Sequence, residues 1–443
     1  MDTYTAEDVI ARARELDVKF IRLQFTDIFG ILKNVAITIE RLEDALADGV
    51  SFDGSSIEGF VRVEESDMLL RPDPSTFTVF PWRPRDGAVA RLICDVYNPD
   101  GTPFEGCPRR ALKRALGAAR ELGYELNVGV ESEFFLFHTD ENGQPTTHTH
   151  DRGSYFDLSP VDLGENARRD MVLVMDEMGM HVEASHHEAS PGQHEITLRR
   201  AEALRAADNI VTMRYVVRSI AQRHGLYASF MAKPLFGTNG SGLHLSYSLF
   251  CGERNVFTDP NAPHELSETA LHFIGGLIAH GRALTAVTSP TVNSYKRLVP
   301  GFEAPTHTAW AFRNRSPMVR IPVQRGGGTR IELRSPDPTC NPYLALACSI
   351  RAGLDGIQSK LVPPDPVEGN IFNIDPQELE RRGIKRLPLC LGEALDELAR
   401  DEVLKDALGP HIYAKYMQAK RVEWETYSRF IHKWELDEYL ARF

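Results

Sequence analysis

Cysteine is scarce and scattered, with six in 443 residues (94, 107, 251, 340, 348 and 390) and no Cys-x-x-Cys pair. That spacing excludes a zinc ribbon or a disulfide scaffold and fits a reduced, cytosolic protein. An excess of positive charge is missing as well. Fifty Lys and Arg stand against 62 Asp and Glu, a net charge of −12, so no general affinity for nucleic acid or an anionic membrane is expected. Long hydrophobic runs are lacking. The most apolar helical stretch, ALHFIGGLIAHGRALTAV, carries two His and an Arg and is too polar to span a bilayer. The first twenty residues are charged throughout and have no apolar signal-peptide core, so a cytoplasmic protein is expected. Repeats and low-complexity tracts are absent, which leaves an ordinary globular chain.

Thr5 with Asp8 three residues on is a capping signal for a short first helix. KFIRLQFTD and ILKNVAIT alternate with period two around Ile28-Phe29-Gly30, which predicts a hairpin. A proline-studded stretch with short β-like runs (TFTVF, ARLICDVY) follows, and PDGTP at 99–103 divides a small strand-rich domain, 1–103, from a large one, 104–443. The second opens on a helix with Pro108 at its start and Gly123 just past its end. Further helices are expected near 165–179, 201–224 and 265–287, each followed by a strand-like run. Beyond 341 the chain reads as helical apart from PPDPVEGNIFNIDP. The class is α+β.

Four strand-like motifs carry polar groups on one face. In VGVESEFFLF (128–137), Glu131 and Glu133 are two apart and share a side. In HHEASPGQHEI (186–196), a reversal centred on Pro191-Gly192 would set Glu188 directly across from Glu195. GTNGSGLHLSYSLF (237–250) alternates His244, Ser246 and Ser248 with Leu243, Leu245, Tyr247 and Leu249. TRIELRSPDP (329–338) alternates Arg330, Glu332 and Arg334 with Ile331 and Leu333. Alone, each reads more simply as a solvated face, a polar hairpin or a salt-bridged strand. Together they offer five carboxylates and one imidazole on apolar-backed strands. Like charges opposed in a ladder are destabilising, and a divalent cation removes the penalty. The donor types suit Mg²⁺ or Mn²⁺, and six ligands suit two ions, a pairing used in phosphoryl transfer. Arg297, Arg313, Arg315, Arg320, Arg330 and Arg334 crowd into under forty residues; guanidinium forks match carboxylates and phosphates. Glu303 lies between Gly301 and Pro305 in a loop able to close over a site, although by spacing alone it is an ordinary loop glutamate.

FDGSSIEGF, VESEFFLF, HHEASPGQHEI, NGSGLHLS, NSYKRLVPGFEAP and RIELRSPDPTCNPYLA, in this order, resemble bacterial type I glutamine synthetases from end to end. The resemblance implies a β-grasp N-terminal domain that completes a neighbour's active site. It implies a catalytic domain whose curved antiparallel sheet forms a helix-flanked half-barrel funnel. It also implies a dodecamer of two hexameric rings, with the tail WETYSRFIHKWELDEYLARF strapped into the opposite ring. The implied reaction joins ammonia to glutamate at the expense of ATP, through γ-glutamyl phosphate. By motif position, Glu133, Glu188 and Glu195 would hold a first Mg²⁺ or Mn²⁺, and Glu131, His244 and Glu332 a second. Asn239, Gly240, Arg297, Glu303, Arg315 and Arg334 would meet glutamate; Glu183, Ser246, Ser248, Arg315, Arg320 and Arg330 would meet ATP. Asp53, whose own spacing suggests an Asp-Gly turn, would bind and deprotonate ammonium in the adjacent subunit, with Glu303 as the lid and Arg315 and Arg334 stabilising the phosphoryl group. Phe372 stands where the adenylylated branch has tyrosine, and the insertion typical of that branch is absent. The chain therefore looks like the α type, in which an arginine matched by Arg62 is linked to glutamine feedback and some members bind transcription regulators. Two other readings are a γ-glutamyl ligase for another amine, such as a polyamine, and a non-catalytic relative. The intact Asp53 and Glu303 motifs argue against the first, and the filled ligand positions against the second.

Overall fold

The computed structural model describes residues 4–60, 67–312 and 314–443. The chain starts with α1 (Ala6–Glu15), capped as expected: the Asp8 N–H donates to Thr5 Oγ1 (3.2 Å) and the Thr5 N–H to Asp8 Oδ2 (2.8 Å). Five strands follow, β1 (Val18–Thr26), β2 (Leu32–Thr38), β3 (Val50–Asp53), β4 (Asp67–Val79) and β5 (Ala88–Tyr97), with α2 (Leu42–Asp48) between β2 and β3. They form one sheet in the order β2-β1-β5-β4-β3, in which β1 and β5 run parallel. The predicted hairpin is β1–β2. Val9, Ile21, Leu23, Leu70 and Leu92 close a core of its own under this β-grasp sheet. The PDGTP segment lies between β5 and the next helix, α3 (Pro108–Glu121).

The rest of the chain builds a ten-stranded sheet. Its strands are β6 (Glu125–Thr139), β7 (Pro145–Thr149), β8 (Val182–His187), β9 (Gln193–Glu202), β10 (Leu226–Ser229), β11 (Leu243–Cys251), β12 (Arg254–Asn255), β13 (Trp310–Ala311), β14 (Val319–Arg320) and β15 (Ile331–Leu333). The main path runs β13-β14-β15-β11-β6-β9-β8. Between β7 and β8 lies α4 (Glu165–Glu177), and between β9 and β10 the mostly buried α5 (Ala203–Arg223). After β12 come α6 (Glu268–Ala279) and α7 (Gly281–Thr288); after β15 come α8 (Pro342–Gln358), α9 (Pro376–Arg381), α10 (Leu391–Leu398), α11 (Glu402–Leu408), α12 (Pro410–Arg429) and α13 (Lys433–Tyr439). No single helix among the described residues is long and apolar enough to cross a membrane.

Period-two alternation sorts this sheet into two faces. Val128, Val130, Phe134, Leu243, Leu245, Tyr247, Ile331 and Leu333 are all buried in one core with residues of α3, α5 and α8. Helices α6 and α8 touch backbone to backbone, since a Cβ at Gly276 would stand 2.0 Å from the Ala352 carbonyl oxygen. The single helix expected near 265–287 is instead two, bent by 72° at His280. There the imidazole is held by Asp401 (Nδ1, 2.7 Å) and Asp355 (Nε2, 3.1 Å), a tertiary contact invisible to periodicity.

Asn341 fastens the two sheets together. Its Oδ1 caps α8 by accepting from the Tyr343 N–H (3.0 Å), and its Nδ2 donates to the carbonyls of Asp27 (3.1 Å) and Ile28 (3.2 Å) in the β1–β2 turn. Gly30, at φ +80°, lies against it; a Cβ there would be 2.7 Å from Asn341 Cα. Asn341→Ala is expected to cost about 1–2 kcal/mol from the lost cap and bonds. A thermal melt within a degree of the parent would refute this.

Candidate active site

The polar face of the ten-stranded sheet is built by register. His244 pairs with Glu131 across β11 and β6, Glu133 with Glu195 across β6 and β9, and Glu332 with both Ser246 and Arg320. Strand period then turns all these side chains away from the apolar core. Ligand atoms of Glu131, His244 and Glu332 lie within 4.8 Å of one another, as do those of Glu133, Glu195 and His244, and those of His186, Glu188 and Glu195. The six expected residues are thus brought together, with His186 among them.

The 186–196 hairpin differs from expectation in register. Glu195 faces His186 rather than Glu188, and the Glu188 N–H donates to the Gln193 carbonyl (2.7 Å). Pro191 and Gly192, at φ +66°, make a turn closed by the Gln193 N–H on the Ser190 carbonyl (3.0 Å). Such a turn does not match strand twist, and the four residues 189–192 widen the loop. Glu188 and Glu195 therefore sit diagonally, with His186 Nδ1 3.6 Å from Glu188 and Nε2 3.4 Å from Glu195.

Crowding sets the electrostatics. Burial, then Glu188 and Glu195, push the Glu133 carboxyl well up. Burial and Glu195 raise Glu188 to about 7. For Glu131 burial is outweighed by the hydrogen bond and charge of His244 (3.2 Å), and its carboxyl falls to about 2. Carboxylates that repel one another behind a common opening are the donor set of a hard divalent cation, so the residues fit Mg²⁺ or Mn²⁺.

Arginines form the opposite wall. Glu332 is 1% exposed and holds Arg320 Nη1 (2.8 Å) and Arg334 Nη1 on its two oxygens. Arg334 Nε donates to the Arg315 carbonyl (2.9 Å). Both walls bound a cavity of about 180 Å³ that also meets Asn239, Gly240, Arg297 and Glu303. Arg297 is buried, and its guanidinium donates to backbone: Nη1 to the carbonyls of Ser335 and Pro336, Nη2 to that of Arg334 (2.9–3.1 Å). It thereby shapes the turn after β15. A second recess of about 530 Å³ shares Glu131 and adds Glu183, Ser246, Ser248 and Arg330. Within it Ser248 Oγ donates to the Thr329 carbonyl (3.1 Å) and Arg330 Nη1 to Gln324 Oε1 (2.7 Å).

Asp53 lies apart, exposed at the end of β3, where Oδ1 accepts from the Ser55 N–H (2.8 Å) and Oγ (2.7 Å); it borders neither cavity. His411 Nε2 of α12 meets the Gly59 carbonyl (2.9 Å) and so ties down the turn between Asp53 and Gly59. Arg62 and Arg313 lie outside the described residues. Sequence reasoning missed five cavity residues: Tyr155, His186, Gln193, Phe302 and Ala304. Gln193 Nε2 donates to Glu133 Oε2 (2.9 Å) and to the Gly240 carbonyl (3.1 Å), so it joins the acidic floor to the TNGSG loop. Its place two residues before Glu195, on the same strand face, was the available signal. Tyr155, which lines the cavity with Arg315, arrives from an irregular segment that carries none.

A β-grasp domain beside a curled half-barrel sheet, with carboxylates on the floor and arginines opposite, defines an ATP-dependent, metal-using ligase. Two family models match in turn: "Glutamine synthetase, beta-Grasp domain" over residues 17–99 and "Glutamine synthetase, catalytic domain" over 105–439. The glutamine synthetase of Clostridium saccharobutylicum is 58% identical over 443 residues, all of both chains, and that of Thermus thermophilus 54% identical over 444, covering 99% of this chain and 100% of the other. Among solved structures, GmaS in its ADP complex superposes with a TM-score of 0.89 at 33% identity, covering 98% of this chain and 99% of that one. The cryo-EM glutamine synthetase of Plasmodium falciparum gives 0.87 at 25% identity, covering 99% of each. The chain belongs to the glutamine synthetase family.

Proposed function

We propose that this chain makes glutamine from glutamate, ammonia and ATP through γ-glutamyl phosphate. The observation that carries the reading is the single cavity in which clustered carboxylates face Arg315, Arg320 and Arg334. Glu133, Glu188 and Glu195 would hold one Mg²⁺ or Mn²⁺ and Glu131, His244 and Glu332 another; such ions, when bound, neutralise and orient phosphate oxygens.

The remaining work falls to the chain's own side chains. Asn239, Gly240 and Arg297 hold glutamate, while Glu183, Ser246, Ser248, Arg320 and Arg330 hold the nucleotide. A carboxylate oxygen is a poor leaving group, so the γ-carboxylate attacks the terminal phosphorus of ATP and ADP departs. Arg315 and Arg334 meet the charge that develops on the transferred oxygens. Asp53 of a neighbouring copy takes a proton from ammonium. Ammonia then attacks the acyl carbon and phosphate leaves. Glu303 closes the cavity, accepts a proton from the tetrahedral adduct and keeps water from the acyl phosphate.

Assembly into a dodecamer of two hexameric rings is part of the reading. Asp53 is exposed and clear of its own chain's cavity, which supports a site shared between copies. Phe430, Ile431, Trp434, Leu440 and Phe443 form an exposed apolar end suited to a strap. Phe372 has no hydroxyl to nucleotidylate, which supports the α type, and six unpaired cysteines suit the cytoplasm. The testing experiment is glutamine synthesis from glutamate, ammonium and ATP with Mg²⁺ or Mn²⁺, with and without added glutamine. One ADP per glutamine is expected, and ATP-independent or absent synthesis would overturn the reading. Arg62→Ala is expected to weaken inhibition by glutamine while turnover persists; an unaltered inhibition curve would remove that role.

A further inference from the structure

Lys233 sits where the two loops that bound the glutamate end of the cavity come together. It is 9% exposed. Its backbone is fixed on both sides by one residue: the Lys233 N–H donates to Asn293 Oδ1 (2.7 Å), and Asn293 Nδ2 donates back to the Lys233 carbonyl (3.0 Å). From that mount Nζ donates to the Thr238 carbonyl. The same ammonium lies 3.7 Å from the centre of the Phe302 ring.

Each contact belongs to a different loop. Thr238 precedes Asn239 and Gly240, and the Ser241 N–H donates to the Ala232 carbonyl (2.8 Å), so residues 233–241 form a closed loop with Lys233 bonded across it. Phe302 precedes Glu303, and both border the cavity. Elsewhere the loop from 299 holds itself by short-range bonds, Val299 N–H to the Arg297 carbonyl and Ala304 N–H to the Phe302 carbonyl (both 2.8 Å). An ammonium held partly out of water is attracted to an aromatic face more strongly than an exposed one.

We propose that Lys233 is a positioning residue that staples the Glu303 lid to the Asn239–Gly240 loop, so that glutamate binding and lid closure are mechanically joined. The inference rests on the reading of Glu303 as the lid. Lys233 touches no reacting atom. Without the staple the lid parts from the substrate loop and water reaches the acyl phosphate. Water adds to the acyl carbon, the carbon–oxygen bond to phosphate breaks, and glutamate and phosphate are released. The net reaction is hydrolysis of ATP with no glutamine made.

The test measures phosphate released and glutamine formed in the full assembly with saturating ammonium. Lys233→Met keeps the apolar stem and loses both contacts. It is expected to raise the KM for glutamate about fivefold or more, to raise phosphate per glutamine above about two, and to leave the KM for ATP within about twofold. Lys233→Arg, which retains a donor and a cation for the ring, restores the one-to-one ratio. If Lys233→Met does not assemble, Phe302→Leu takes its place, with excess phosphate expected and little change in glutamate KM. Intact coupling in the assembled variants, with or without a lower melting temperature, overturns the proposal. Glu303→Ala separates the two levels. Excess phosphate with Glu303→Ala but not with Lys233→Met or Phe302→Leu overturns the staple and leaves the lid standing; one-to-one coupling with Glu303→Ala removes the lid reading and the staple with it.

Discussion

Glu133→Gln is expected to lower glutamine formation by about 10³-fold while making the metal-depleted protein more stable. Glu133 is 9% exposed, faces Glu195 across the ladder and is pushed up further by Glu188. Its Oε2 accepts from Gln193 Nε2 (2.9 Å) and the Gly242 N–H (3.0 Å), and a glutamine carbonyl can accept both. The substitution thus removes charge and little else. Without a cation, losing one of several mutually repelling carboxylates relieves about 1 kcal/mol, a rise of a few degrees at most in a chain of this size. With a cation, it removes a ligand. Melts with and without chelator, beside manganese binding by EPR, would show the two effects with opposite signs. Equal destabilisation in both conditions would mean that Glu133 serves the fold rather than an ion.

Arg334→Lys is expected to lose about as much, near 10³-fold in kcat, although the formal charge is unchanged. The Arg334 fork engages Glu332 through Nη1 and the Arg315 carbonyl through Nε. An ammonium at the end of a flexible stem cannot hold that geometry. The variant leaves the Arg315 carbonyl without this donor and Glu332 with one guanidinium partner, Arg320. The KM for ATP should change little, because the recess proposed for the nucleotide is lined by other residues, Ser246, Ser248 and Arg330 among them. A variant within tenfold of the parent kcat would exclude Arg334 from the phosphoryl step.

The polar faces were legible in the sequence because strand period is local. Glu131 with Glu133, and His244 with Ser246 and Ser248, needed only the alternation of their own segments. Their convergence needed the β11–β6–β9 ladder, which no single segment encodes. The Glu188–Glu195 register was misjudged by two residues because the loop length depends on how Pro191-Gly192 fits the strand twist. His186 entered the site through that same shift. Arg297 illustrates the other limit. Its place near the site was readable, but its bonds to three backbone carbonyls follow from the path of 334–336, which is a tertiary fact. The bend at His280 failed for a like reason, since Asp355 and Asp401 are 75 and 121 residues away along the chain.

The acidic floor and the arginine wall rest on unequal supports. Glu131 and Glu133 ride a fifteen-residue strand laddered on both edges, whereas Glu332 sits on three residues and Arg320 on two. Few rungs mean easier local opening, so one jaw of the vise is stiff and the other compliant. Any opening of the cavity is therefore expected on the arginine side, with the strand beneath the carboxylates keeping its shape.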